Sequence, residues 1–265
     1  MVVVLAAVAA VAAAPVSAWA WGAPVHERVA LYAMKLMPPA LAAQLSRHRD
    51  ALLEGARAPD LEGAPERHTL LADGGGGTLD RDAAAAVERT RALLEAQGTF
   101  ADVARELGRL SHFAADAAFP LNTSASDPRA ARYYADFTAY ATSKLDRYPP
   151  IFDGYVRLDQ GFDAAAYVRG IAERANRSYP LVSAGYFPEG TTAMRNSSSF
   201  DDRGPVFGVT QLSFVHAVSA TANLWLHVWR EAHGDLAGTP HYSTGPKPAM
   251  RYDGVPDRTR APQRP

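Results

Sequence analysis

Leu110-Ser111-His112-Phe113-Ala114-Ala115-Asp116-Ala117-Ala118-Phe119-Pro120-Leu121-Asn122 is the stretch around which the chain is organised. Ahead of it, Phe100 to Gly108 are helix formers with apolar positions at helical spacing, which predicts a helix that Pro120 ends. On a helix, residues four apart share one face, a turn above each other. His112 and Asp116 therefore aim an imidazole and a carboxylate at one spot. That donor pair suits zinc, which takes His nitrogen and carboxylate oxygen at about 2.0–2.2 Å. The same spacing also suits a capped or solvated His–Asp pair, and the flanking sequence separates the two.

Outward from this stretch the chain reads as helices. Val25 to Leu53 is mostly helical with a break at Pro38-Pro39, and Leu79 to Gln97 is an Ala-rich amphipathic helix whose charges form a solvated face. Between them, Asp73 to Thr78 is a Gly-rich connector with no phosphate-loop pattern. Further helices are expected over Arg129 to Leu145 and Phe162 to Arg174. Ser178 to Gly208, rich in Gly, Pro and Ser without a sustained period, reads as a long loop. Val209 to Ala232 is strongly apolar, with Trp225 and Trp229 four apart as core packing or, alternatively, as a lipid-dipping edge. The tail from Gly238 reads as fraying. The expected class is all-α, a single-domain multi-helix bundle over 21–235, with a flexible tail over 236–265.

The bulk composition narrows the function. A 48% hydrophobic content over 265 residues supports a sizeable core. The net charge of −1 provides no overall basic field to gather nucleic acid or an anionic membrane. With no cysteine, any metal must be held by His, carboxylate and backbone or terminal groups.

Met1 to Ala14 is an unbroken run of Val, Leu and Ala, too short to span a bilayer comfortably and without a basic start. Followed by Ala18-Trp19-Ala20, it reads as an export signal covering 1–20, which places the protein in the periplasm or outside the cell. Val16-Ser17-Ala18 is a competing cleavage site, and an uncleaved anchor is the alternative. Cleavage after Ala20 makes Trp21 the first residue. Its free α-amine has a pKa near about 8, so it loses its proton cheaply and offers a lone pair to a metal beside His26. A packed Trp21 and a helix-lining His26 are the plain alternative.

Trp21-Gly22-x-x-x-His26, followed by His112-x-x-x-Asp116-x-x-x-Pro120-Leu121, resembles the zinc-dependent phospholipase C family and the related fungal single-strand zinc nucleases. The likeness runs from Trp21 to about His233. It implies an all-helical fold and phosphodiester hydrolysis at a site of three zincs. Gly55-Ala56-Arg57-Ala58-Pro59-Asp60 is similar to that family's Gly-Ala-x-x-Pro-Asp, which implies Asp60 and the following His68 as ligands. By the resemblance, Asp60, His68 and His112 hold one zinc and Trp21 with His26 a second, bridged by Asp116. Two such zincs would activate a shared water and clamp the phosphoryl group.

The third zinc is where this chain departs. Asn122 stands where the family has His, and the best match to a later His-x-x-x-carboxylate is Arg132-Tyr133-Tyr134-Ala135-Asp136. An amide is a poor zinc ligand and a guanidinium binds no metal, so two zincs are expected and the third site lost. Arg132, held by Asp136, would instead grip phosphate oxygens. His227 and Glu231 offer a further His-x-x-x-carboxylate. The expected activity is thus a phospholipase C-like phosphoric ester hydrolase acting on phospholipid, with transient contact to a membrane surface. Asp60, Asp116 and Arg132 are its catalytic candidates. A single-strand nuclease or nucleotidase, or a weakened zinc-binding relative, is the rival.

Overall fold

In the computed structural model of the protein the described residues are 21–71, 76–124, 127–156 and 161–242. The expected export signal, its cleavage sites, most of the Gly-rich connector and the tail beyond Tyr242 lie outside them. The described residues form eight α-helices and no strands, the expected class.

Three helices open the chain: α1 (Ala23–Met34), α2 (Pro39–Arg47) and α3 (Arg49–Leu61). Pro24 starts α1 and Pro39 starts α2, because proline at the first helical positions forfeits only an N–H that has no partner there. The expected break at Pro38-Pro39 is present. A second break at His48 is not signalled by proline; the His48 ring stacks on Phe100, 5.9 Å between centroids, where α3 turns to meet the next layer.

α4 (Leu79–Glu95) and α5 (Phe100–Ala117) follow. Thr99 caps α5 by accepting from the Asp102 amide at 3.2 Å. From Leu110 to Ala117 every residue of α5 is buried, so this helix is the hub on which α3, α4 and α8 pack. It ends just before Pro120, as its sequence predicts.

α6 (Ala130–Ser143), α7 (Ala164–Tyr186) and α8 (Pro205–Glu231) complete the fold. The expected loop from Ser178 is corrected here, because α7 runs on through Pro180 to Tyr186. Proline costs that helix one backbone hydrogen bond. Tertiary bonds offset the loss: Tyr179 and Ser183 donate to Asp127 at 2.9 and 3.0 Å, and Tyr186 donates to Asp136 at 2.6 Å. α8 begins at Pro205, one turn earlier than expected. Trp225 is fully buried, its indole N–H on the Leu107 carbonyl at 2.9 Å, so its lipid-dipping alternative does not hold. The fold continues past Gly238, with Tyr242 edge-on to Tyr155 at 5.6 Å.

Candidate metal centre

His112 and Asp116 project from the buried face of α5 into one pocket of polar atoms. His112 Nδ1 meets the Ala56 carbonyl of α3 at 2.8 Å, which fixes the tautomer and turns Nε2 inward. Nε2 lies 3.1 Å from Asp116 Oδ2 and 3.8 Å from Asp60 Oδ1. Pro59 and Asp60 close the last turns of α3, and a 3₁₀ turn over Pro65–His68 brings His68 back to the same place. His68 is buried, with Nδ1 2.7 Å from Asp116 Oδ2 and 3.1 Å from His112 Nε2.

From the other side α1 presents His26, fully buried, its ring stacked on His112 at 3.9 Å and 10°. Its Nε2 stands 3.5 Å from Asp116 Oδ1 without completing a hydrogen bond. Trp21 is clamped beside it: the indole N–H donates to the Ala115 carbonyl at 2.9 Å and the ring packs on Phe119. Its backbone comes near enough to the His26 ring to favour protonation slightly, again short of a hydrogen bond. The five expected side-chain ligands, His26, Asp60, His68, His112 and Asp116, thus meet in one cluster, with Trp21 packed beside it, although four separate segments carry the six residues.

The electrostatics suit a cation. Burial holds the His26 imidazole well below its ordinary value, His112 adds to this and Asp116 opposes it, so His26 keeps a free lone pair at neutral pH. Burial would raise Asp116, but His112, His68 and His26 hold its carboxyl far below the usual carboxylate range. Burial works against charge on His112 as well, yet Asp116 beside it lifts the imidazole above its ordinary value. Burial pushes Asp60 up to about 6, with His112 and His68 opposing and Asp116 adding to the shift.

The donor atoms test whether the implied zinc fits. Both nitrogens of His26, Oδ1 of Asp60 and Oδ1 of Asp116 are buried without a hydrogen-bond partner, a costly arrangement unless something else meets them. Two donor sets, His26–His112–Asp116 and Asp60–His68–His112, each have their ligand atoms within 4.8 Å of one another. Ligands about 2.1 Å from a tetrahedral ion stand roughly 3.4 Å apart, so either set closes with small side-chain movements. The two Asp116 oxygens face different histidines, Oδ1 towards His26 and Oδ2 towards His68 and His112. The residues fit the metal.

The departing positions behave differently. Asn122 is buried, accepts from the Tyr134 hydroxyl at 2.5 Å through Oδ1, and leaves Nδ2 without a partner. The expected Arg132–Asp136 pair does not form. Asp136 is taken by the Tyr186 hydroxyl and the Ser197 N–H at 2.6 and 2.9 Å, while the Arg132 guanidinium lies over the Phe187 ring. Phe187 offers Arg132 a cation–π surface that the pattern of residues four apart could not reveal. His227 and Glu231 face Glu88 and Phe162 in a separate cleft of about 270 Å³, so they supply no ligand to the cluster. Missed from the sequence were the Ala56 carbonyl and the Tyr134 hydroxyl, neither of which carries a motif.

A helical fold with a buried imidazole–carboxylate cluster at the meeting of α1, α3 and α5 is thus the class of protein this chain represents. Its fold is that of the clostridial alpha-toxins. The crystal structure of Clostridium perfringens alpha-toxin from avian strain SWCP matches with a TM-score of 0.65 at 14% identity, covering 82% of this chain and 67% of the toxin. Alpha toxin from Clostridium absonum matches with a TM-score of 0.62 at 12% identity, covering 81% and 67%. No family model and no curated protein sequence matches the chain. At such identity the likeness is one of fold.

Proposed function

We propose that the protein is an exported zinc-dependent phosphodiester hydrolase of the phospholipase C type, acting on phospholipid with two zincs. The observation that carries this reading is Asp116, a buried carboxylate in reach of three imidazoles, two of its neighbours left with unpaired donor atoms. The motif resemblance and the shared fold support the choice of reaction class.

Asp60, His68 and His112 would hold one ion and His26 with the Trp21 backbone the other, with Asp116 common to both. Zinc held there supplies a Lewis acid and a water that ionises near neutral pH. The chain's own residues do the rest. The Ala56 carbonyl locks His112 in one tautomer, and the Trp21 indole clamp keeps the first residue of α1's approach beside His26. Burial of His26, His112 and Asp116 excludes competing water from the inner side. Asp60 is the most exposed of the cluster, so substrate approaches from its side.

The test is zinc per chain together with release of phosphocholine, phosphoethanolamine or nucleotides from candidate substrates. Headgroup release with two zincs bound supports the reading. Release of nucleotides alone would make it a nuclease, and two bound zincs with no release would leave a binding protein.

A further inference from the structure

Away from the cluster, α7 and α8 share an outer face without charge. No Asp, Glu, Lys or Arg occurs between Arg177 and Glu189 or between Arg203 and Arg230. The two helices lie antiparallel. Phe162, just before α7, packs tilted against His227 near the end of α8, 4.4 Å between ring centroids, and Gly185 near the end of α7 abuts Val206 in the first turn of α8. Leu181 and Leu212 therefore stand at the same level on neighbouring helices, 50% and 46% exposed. Ala184 and Gly208 continue the bare surface one turn further. Met194, 39% exposed, joins it through the Arg195 N–H bond to the Tyr186 carbonyl.

The rim is cationic where it is uncommitted. Arg177, Arg195 and Arg203 are exposed and have no carboxylate partner among the described residues. Of the nearby acids, Asp127 is bound by Arg129, Asp136 by Tyr186 and Ser197, and Asp202 by Lys144 and Arg147. Glu173, Glu189 and Asp201 remain without a cation among the described residues, against the forks of Arg177, Arg195 and Arg203 and of Arg174 beside them, which match phosphate oxygens.

We propose that this α7–α8 face docks on a phospholipid bilayer, Leu181 and Leu212 entering the headgroup layer while Arg177, Arg195 and Arg203 bind lipid phosphates. The choice of lipid rests on the reading of the cluster as a phospholipid hydrolase. α6 joins the two regions: Tyr134 bonds to Asn122 beside the cluster, and the adjacent Tyr133 stacks on Tyr186 at 4.3 Å beside the docking face.

The test is flotation of the full chain with phosphatidylcholine vesicles, with and without phosphatidylserine. The native protein floats, and Leu181→Asp with Leu212→Asp lowers the bound fraction at least tenfold while far-UV circular dichroism is unchanged. Arg177→Glu weakens flotation as well, more so with phosphatidylserine present. Equal flotation of native and doubly substituted protein overturns the proposal, as does a native protein that never floats. A native dimer that the double substitution dissociates overturns it too, and assigns the face to a second copy. Flotation needs no turnover, so hydrolysis of a soluble monomeric phosphodiester tests the cluster separately. Binding without hydrolysis sinks the enzyme reading alone, and hydrolysis without binding sinks the docking face alone.

Discussion

Gly55 of α3 and Gly108 of α5 face each other where the two helices cross almost backbone to backbone. A Cβ on Gly108 would stand 2.1 Å from the Leu52 carbonyl oxygen and 3.0 Å from the Gly55 carbonyl carbon, and a Cβ on Gly55 would stand 1.9 Å from the Arg105 carbonyl oxygen. This crossing sets the reach from the Ala56 carbonyl to His112, and it brings Asp60 to within 3.8 Å of that ring. Gly108→Ala is expected to cost about 1–3 kcal/mol, since the neighbour is rigid backbone. Urea denaturation measures the loss, and zinc affinity is expected to fall with it.

Asp116→Asn removes the carboxylate shared by His26, His68 and His112. Zinc per chain is expected to fall below two and phosphodiester turnover to drop by at least about 100-fold, since even outer-shell partners of metal ligands are worth 10–100-fold. Metal analysis after desalting and a kcat measurement check this; full zinc with native turnover would remove Asp116 from the centre.

Arg132→Ala is expected to leave kcat and KM for a soluble phosphodiester unchanged, because the guanidinium lies over Phe187 and Asp136 does not aim it at the cluster. A tenfold fall in kcat with unchanged KM would return Arg132 to the mechanism.

Restoring histidine at one departing position does not rebuild a third site. Asn122→His is expected to leave zinc at two per chain, since Asp136 stays bound to Tyr186 and Ser197. Three zincs by metal analysis would refute this.

Asp127 gives the acid limb of stability. Its bidentate Arg129 partner, with Tyr179 and Ser183, holds the carboxyl below the usual range although partial burial opposes this. A depressed folded-state value stabilises the protein fully above the unfolded carboxyl pKa of about 4, and that contribution is lost progressively as pH falls from there through the lower folded-state value. Asp127→Asn is therefore expected to lower the urea midpoint at pH 7, with the gap to the native protein narrowing towards pH 3.

Much of the site could be read from the chain because its chemistry is local. His112 and Asp116 share a face by helical spacing alone, and the Trp21–His26 and Pro59–Asp60 motifs carried the rest by resemblance. His68 illustrates the limit: only the 3₁₀ turn at Pro65 shows that it folds back onto Asp116. The run of α7 through Pro180 was illegible because the bonds that sustain it come from Asp127 and Asp136, far away in sequence.

The amino-acid pattern by itself determined an all-helical class, the ends of α5, and which side chains could act as ligands, since these depend on neighbours within a few residues. Tertiary structure alone decided that His26, Asp60, His68 and Asp116 converge, that Asp136 is lost to Tyr186 and Ser197, and that Leu181 and Leu212 share an open face. Those outcomes depend on how closely helices approach, and that distance is set by paired surfaces such as Gly55 against Gly108, which lie apart in the chain.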